Sequence, residues 1–186
     1  MKRIWYMFVF VLILSGCETK EINVFPVFEE SIKFKINSSD FNYTGVIKAS
    51  DIMDAIDGIV EDEDDISKVL LEEVWFEVRP ETANSASSLN VDLSIRSWID
   101  NNSKKVLDDY GVKIGTTNSI EPVLAGLQDE GVSELLHQLT QIVKGAENDI
   151  RISVDGVAIP DGTVADLELE LFIRGTVKVS QEVPSL

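Results

Sequence analysis

Apolar and polar residues alternate in four separate stretches of the chain. From Ser31 to Asn37, Ile32, Phe34 and Ile36 fall on one side and Lys33 and Lys35 on the other. From Leu89 to Ile95, Leu89, Val91, Leu93 and Ile95 alternate with Asn90, Asp92 and Ser94. Ile150, Ile152 and Val154 alternate with Arg151 and Ser153. From Val164 to Val179, Leu167, Leu169, Leu171 and Ile173 take one face, and Asp166, Glu168, Glu170 and Arg174 take the other. A period of two puts one face in a core and the other in water, so each stretch is predicted to be a half-buried strand.

Other strands are weaker in pattern. Ile66 to Arg79 is long and rich in β-formers, and its apolar face changes near Glu72-Glu73. That change predicts a bulge or a passage between environments. After a turn at Ser38-Ser39-Asp40, Phe41, Tyr43 and Val46-Ile47 form a short strand or an extended segment. Trp98-Ile99 prolongs the Leu89 strand toward a turn at Asp100 to Ser103. Lys104 to Tyr110 then returns as the hairpin partner, with Val112 and Ile114 continuing it. Pro80 to Ser88 reads as a loop, and Asp155-Gly156 and Asp161-Gly162 read as turns.

Two stretches change to the helical period. In Ser50 to Val60, Ile52, Met53, Ile56, Ile59 and Val60 share a face, with Ser50 as N-cap and Asp51 and Asp54 near the positive end of the dipole. An acidic loop, Glu61 to Asp65, follows. In Ser133 to Lys144, Leu135, Leu136, Leu139, Ile142 and Val143 repeat at three and four, with Ser133 at the start and Gly145 after the end. Ser119 to Asp129 is ambiguous: Pro122 suits the first turn of a helix whose buried side is Val123, Leu124 and Leu127. Many short strands divided by turns predict a mainly β fold, an antiparallel β-sandwich with two amphipathic helices packed on it. The alternative is an α+β arrangement, with both helices on one face of a single curved sheet.

The first residues obey a different pattern. Lys2 and Arg3 precede an unbroken apolar run from Ile4 to Leu14. The run is well short of the roughly 20 residues a spanning helix needs, so it reads as the core of an export signal. It ends in Leu14-Ser15-Gly16-Cys17, which resembles the lipobox of bacterial lipoproteins. The resemblance covers only these seventeen residues. It implies cleavage before Cys17, a diacylglyceryl group on the Cys17 sulfur and attachment to a membrane of the bacterial cell envelope through that lipid. Glu18 stands where an aspartate would resemble an inner-membrane retention signal, which points to the outer membrane. In other bacterial groups, acidic residues after the cysteine resemble a surface-export signal. The expected organisation is therefore a leader (1–16), a lipidated N-terminus and tether (17–30), one β-rich domain (31–179) and a tail (180–186).

Charge and composition narrow the functions. The chain has 186 residues, with 33 acidic and 16 basic. Loss of the leader would leave 170 residues, with 14 basic against the same 33 acidic and a net charge of −19. Such a surface repels nucleic acid and anionic headgroups, so no nucleic-acid partner is expected. Cys17 is the only cysteine, so no internal disulfide forms and the domain rests on its core.

No catalytic, metal or cofactor constellation emerges. His137 is the only histidine and lies on the polar side of its helix. The spacing of Glu61 to Asp65 fits no calcium loop. Glu168 and Glu170 share a strand face and read as its wet side, and Phe172 is an exposed-aromatic candidate there, or one covered by a helix. No glycine-rich phosphate loop or nucleophile elbow is present. The expectation is a lipid-anchored, non-enzymatic binding or structural protein with a filled core. It would meet a protein or glycan through exposed loops such as Pro80 to Ser88 and Asp100 to Ser103. The alternative is a carrier of an apolar ligand such as lipid, held between sheet and helices near Leu136 and Ile152.

Overall fold

The computed structural model describes residues 19–57 and 66–184. The leader, Cys17, Glu18 and the acidic run Glu61 to Asp65 lie outside the described residues, as do Ile59 and Val60. Two antiparallel sheets pack face to face, with two helices against them. The expected β-sandwich with two helices is therefore what the chain forms.

The longer sheet contains β1 (Thr19–Val24), β2 (Val27–Ser38), β4 (Ile66–Pro80), β7 (Ser119–Pro122) and β9 (Ala165–Pro184). The shorter contains β3 (Asp40–Ile47), β5 (Ser88–Arg96), β6 (Ser103–Lys113) and β8 (Ile150–Ile159), in the order β3-β8-β5-β6. β9 is the spine of the longer sheet: β1 and β2 pair along one edge and β4 along the other. At 20 residues it is the longest strand, a span of roughly 66 Å at about 3.3 Å per residue.

The inward residues are those the alternation names. Ile32, Phe34 and Ile36 on β2 and Leu167, Leu169, Leu171 and Ile173 on β9 face Leu89, Val91, Leu93 and Ile95 on β5 and Ile150, Ile152 and Val154 on β8. All are buried. The β4–β9 register shifts between Leu71 and Glu73, where the sequence predicts a bulge. Beyond that shift the longer sheet continues with Ile66, Val69, Val177 and Val179, all buried. The helices α1 (Ala49–Ile56) and α2 (Asp129–Val143) pack there: α1 on β2, α2 on β4 and β6, and each on the other.

Several local expectations are corrected. Thr19–Val24, expected in a tether, is a strand paired with Val179–Pro184, most of which was expected to be tail. Ser119–Pro122 is a strand on β4, and a single 3-10 turn, Leu124–Gly126, follows it in place of a helix. Trp98 and Ile99 form a turn after β5 has ended at Arg96, and Ile99 is exposed. Asp155-Gly156 lies inside β8 and not in a turn. A Cβ on Gly156 would sit 2.4 Å from the Phe41 ring and 2.5 Å from the Asn90 carbonyl, so glycine is kept for packing.

Both helix starts also differ. α1 begins at Ala49 with no cap from Ser50; the Asp149 carboxylate accepts its first N–H, from Ala49, at 3.1 Å. α2 begins a turn before Ser133, at Asp129. There a Cβ on Gly131 would lie 2.1 Å from the Lys105 carbonyl oxygen, so only glycine lets the helix lean on β6. Its C-terminus follows expectation. Gly145, at φ 88°, donates to the Ile142 carbonyl, and Ala146 to that of Gln141, which satisfies the last carbonyls in a Schellman arrangement. The buried face of α2 is rotated from the leucine reading: Glu134 and Gln138 are buried, while Leu136 and Val132 are half-exposed.

Candidate functional site

The two loops singled out from the sequence lie at opposite ends of β5. Pro80 to Ser88 precedes β5, and Asp100 to Ser103 follows the turn after it. The first loop is consumed by the scaffold. Ser85 donates its N–H to the Val164 carbonyl, and its hydroxyl accepts from the Val164 N–H at 2.9 Å. The Asn84 side chain donates to the Ala86 carbonyl and accepts from the Asp166 N–H. None of its residues lines any of the four clefts described below.

The second loop borders the largest of these clefts, of about 610 Å³. Arg96, Ser97, Trp98 and Asn101, from the end of β5 and the turn after it, line it together with Glu147, Asn148, Asp149 and Arg151, from the segment that leads into β8 and its start. The volume falls within the range of small-molecule sites. A neighbouring cleft of about 480 Å³, between the start of α1 and the end of α2, shares Glu147 and Asp149 with it.

The Arg96–Asn102 wall is held by a buried polar shelf from α2. Gln138, fully buried, donates to the Arg96 carbonyl at 2.8 Å and to the Glu134 carboxylate at 2.7 Å. The same Glu134 oxygen accepts from the Trp98 N–H at 3.3 Å. Ser97 donates its N–H to the Asn102 carbonyl, and its hydroxyl accepts from the Ile99 N–H. The Arg96 guanidinium donates to the Asn101 carbonyl at 2.8 Å, and the Trp98 indole N–H to the Asp149 carbonyl at 3.2 Å. Asn101 takes a positive φ of 58° to close the turn, a conformation asparagine tolerates. The Asp100 carboxyl is held well below the usual range, chiefly by the Asn102 N–H, with Ser97 and Lys104 adding to this.

The cleft places two arginines side by side. Ile95 and Ile152 are cross-strand partners with inward side chains. Arg96 follows the first and Arg151 precedes the second, so both stand on the outer face at one end of the shorter sheet. Both are exposed, and neither forms an ion pair with a described carboxylate.

The outer face of the longer sheet is built differently. Glu170, expected on a wet face, is 4 % exposed. Ser31 donates to it at 2.8 Å, Arg79 Nη1 lies 2.9 Å from its Oε2, and Lys33 Nζ lies at 3.6 Å. The Arg79 contact is close but out of line for a hydrogen bond. Arg79 also bonds Glu168 and Glu77. Next to it Phe172 is half-buried, covered by Trp75 and not by a helix: the rings stack 4.9 Å apart at an interplanar angle of 4°. Arg174 lies 5.3 Å from the Trp75 ring and bonds Glu29 and Glu73. A shallow groove of about 410 Å³ runs from Trp75 to the exposed Ile120 and Pro122.

On the shorter sheet, Asp92 and Asp155 border a cleft of about 360 Å³, and their oxygens accept from the Asp109 N–H and the Asn42 amide. Among the described residues no group of three His, Cys, Asp or Glu is placed to hold a metal. His137 is exposed, as its helical position predicts. The unpaired arginines were missed in the sequence because Arg96 and Arg151 are 55 residues apart. The only local signal was that each extends a strand on its polar side.

The sequence matches the model of no protein family and no curated protein. Among solved structures, the chain is similar to a structure of turnip yellow mosaic virus, at 10% identity and a TM-score of 0.38, over 90% of this chain and 98% of that one. It is similar to desmodium yellow mottle tymovirus at 10% identity and a TM-score of 0.37, over 92% and 86%. It is similar to the BFDV capsid protein at 8% identity and a TM-score of 0.31, over 85% and 99%. Likeness this distant carries no argument about this chain.

Proposed function

We propose that the protein is a lipid-anchored, non-enzymatic binding module of a bacterial cell envelope, held through Cys17 and binding its partner in the Arg96–Arg151 cleft. The observation that carries the binding half is the cleft itself. It is concave, it joins an aromatic ring to amide and guanidinium groups, and its wall is fixed in advance by α2. Fixing the wall lowers the ordering cost of binding. A protein loop or a glycan of a few sugar units suits a volume of about 610 Å³.

The anchoring half rests on Leu14-Ser15-Gly16-Cys17. Two or three acyl chains, at about 0.8 kcal/mol per buried methylene, hold a protein on a bilayer where one chain gives only marginal binding. β1 begins two residues after Cys17 and pairs with β9, so little free chain would separate lipid from domain.

The carrier reading finds less support. Leu136 is half-exposed on α2 and Ile152 on β8 is 2 % exposed, Leu135, Leu139 and Ile142 on α2 are at most 2 % exposed, and none of them lines any of the four clefts. One experiment separates the two readings. Backbone amide shifts are followed while the exported chain is titrated with solubilised envelope polysaccharide, then with a fatty acid. Shifts confined to 96–102 and 147–151 with polysaccharide support the binding module. Saturable shifts through Leu135, Leu139 and Ile152 with fatty acid establish the carrier.

A further inference from the structure

Four arginines lie among the described residues. Arg79 and Arg174 are each bonded to two glutamates on the outer face of the longer sheet. Arg96 and Arg151 have no carboxylate partner among the described residues, although acidic residues outnumber basic ones two to one. They also stand next to each other on neighbouring strands, where like charges cost stability. The cleft thus holds two positive charges together, and although Glu147 and Asp149 line the same cleft, neither closes an ion pair with them.

Resting on the binding-module reading, we infer that the cleft recognises a carboxylate-bearing sugar, a uronic acid residue of a glycan, with the acid group gripped between Arg96 and Arg151. Neighbouring strands lie about 4.8 Å apart. Side chains rooted on backbones at that spacing are long enough to bring two guanidinium groups onto one carboxylate, and the planar fork suits its two oxygens. Arg96 is already steadied by its bond to the Asn101 carbonyl. Trp98 adds an aromatic surface to the same cleft, and Asn101 and Asn148 add amides able to meet hydroxyls. Glu147 and Asp149 line the same cleft and offer acceptors to sugar hydroxyls. Asp149 is partly occupied, since it receives the Ala49 N–H and the Trp98 indole N–H.

The net negative charge of the chain shapes this recognition. It repels polyanions at long range, and at physiological ionic strength that field decays over about 8 Å. Attraction therefore acts only within the cleft, and an anion that does not also fit the sugar-sized space gains little.

The test is calorimetric titration of the full chain in detergent at physiological ionic strength, with trigalacturonic acid as probe. Neutral galactotriose and inorganic phosphate serve as comparison arms. One-to-one binding of the acid is expected, at least tenfold tighter than galactotriose or phosphate. Arg151→Gln and, separately, Arg96→Gln should each weaken it at least tenfold, while Lys35→Gln, which removes the same charge from another exposed site, should leave it unchanged. Circular dichroism of each variant shows whether it is folded. Phosphate binding as tightly as the sugar acid would overturn the sugar assignment in favour of a simple anion site. Equal binding of galactotriose, or equal weakening by Lys35→Gln, would overturn the role of the arginine pair. No binding of any of the three probes would overturn the inference, and the envelope-polysaccharide titration above, read at 96–102, would still decide whether the module itself stands.

Discussion

The two sheets carry their arginines in opposite ways. On the longer sheet, Arg79 spans Glu77, Glu168 and the buried Glu170, and Arg174 spans Glu29 and Glu73 while lying against Trp75. Those guanidinium groups close a network over their own sheet. On the shorter sheet, Arg96 and Arg151 face a cleft and form no ion pair with a described carboxylate. The lesson is about assignment of roles in an acidic protein. Where carboxylates are abundant, a paired arginine is the ordinary outcome and speaks of stability. An unpaired pair, held on a prearranged wall, speaks of something outside the chain.

This contrast separates stability from binding, and substitutions should obey the split. The largest effect belongs to the helix that supports the cleft wall. Leu139 is 1 % exposed on α2, and Leu139→Ala should destabilise by about 2–5 kcal/mol, read as a lowered urea midpoint with unchanged slope. His137→Ala, two residues away on the exposed side, should cost less than about 0.5 kcal/mol. Equal costs would show that α2 is not seated as described.

The second effect tests the closed network. Glu170→Gln keeps a group to accept from Ser31 but removes the charge that faces Arg79 and Lys33. It should cost about 1–3 kcal/mol, as for a buried partner left without its charge-assisted contact. Arg96→Gln and Arg151→Gln should each cost less than about 0.5 kcal/mol in the same assay, because both residues are exposed and neither closes an ion pair. If Glu170→Gln costs no more than these, the two sheets do not differ in the way argued.

How much of this could be read from the chain depends on the range of the forces involved. The strands β2, β5, β8 and β9 were legible because alternation is local and a sheet face imposes it directly. The bulge near Glu72-Glu73 was legible for the same reason, as a break in that alternation. The expected turn at Asp155-Gly156 failed because Phe41, more than a hundred residues away, needs the space a side chain would fill. The buried face of α2 was misread at Glu134 and Gln138. Those polar residues are inside because they bond the Arg96 carbonyl and Trp98 N–H, which no helical pattern reveals. The cap of α1 comes from Asp149, a hundred residues from Ala49. Asp100 to Ser103 was singled out as an exposed polar turn, and it borders the cleft through Asn101. Its arginine pair depends on β5–β8 register and was invisible.

The smallest effect is also the sharpest test, because it should have opposite signs in the two regions. Glu30 lies on β2 of the longer sheet, and burial pushes its carboxyl above the ordinary value, with Asp51 of α1 adding to the rise. Asp100 lies in the cleft turn, and the Asn102 N–H holds its carboxyl below the ordinary value. For Glu30 the folded protein binds a proton more readily than the unfolded chain, so stability should rise as pH falls through the folded value toward the unfolded one. Glu30→Gln should therefore be more stable than the parent at pH 7, with the gap closing near pH 4, about the ordinary glutamate value. For Asp100 the sign reverses: its contribution is present above the ordinary aspartate value, about pH 4, and is lost below it. Asp100→Asn should be less stable than the parent at pH 7, and that gap should shrink only below about pH 4. Thermal melts of the two variants from pH 7 to 3 would show curves that approach the parent from opposite sides. Approach from the same side would mean that the cleft turn does not hold its carboxylate ionised, and the prearranged segment from which Arg96 reaches the cleft would lose its electrostatic footing.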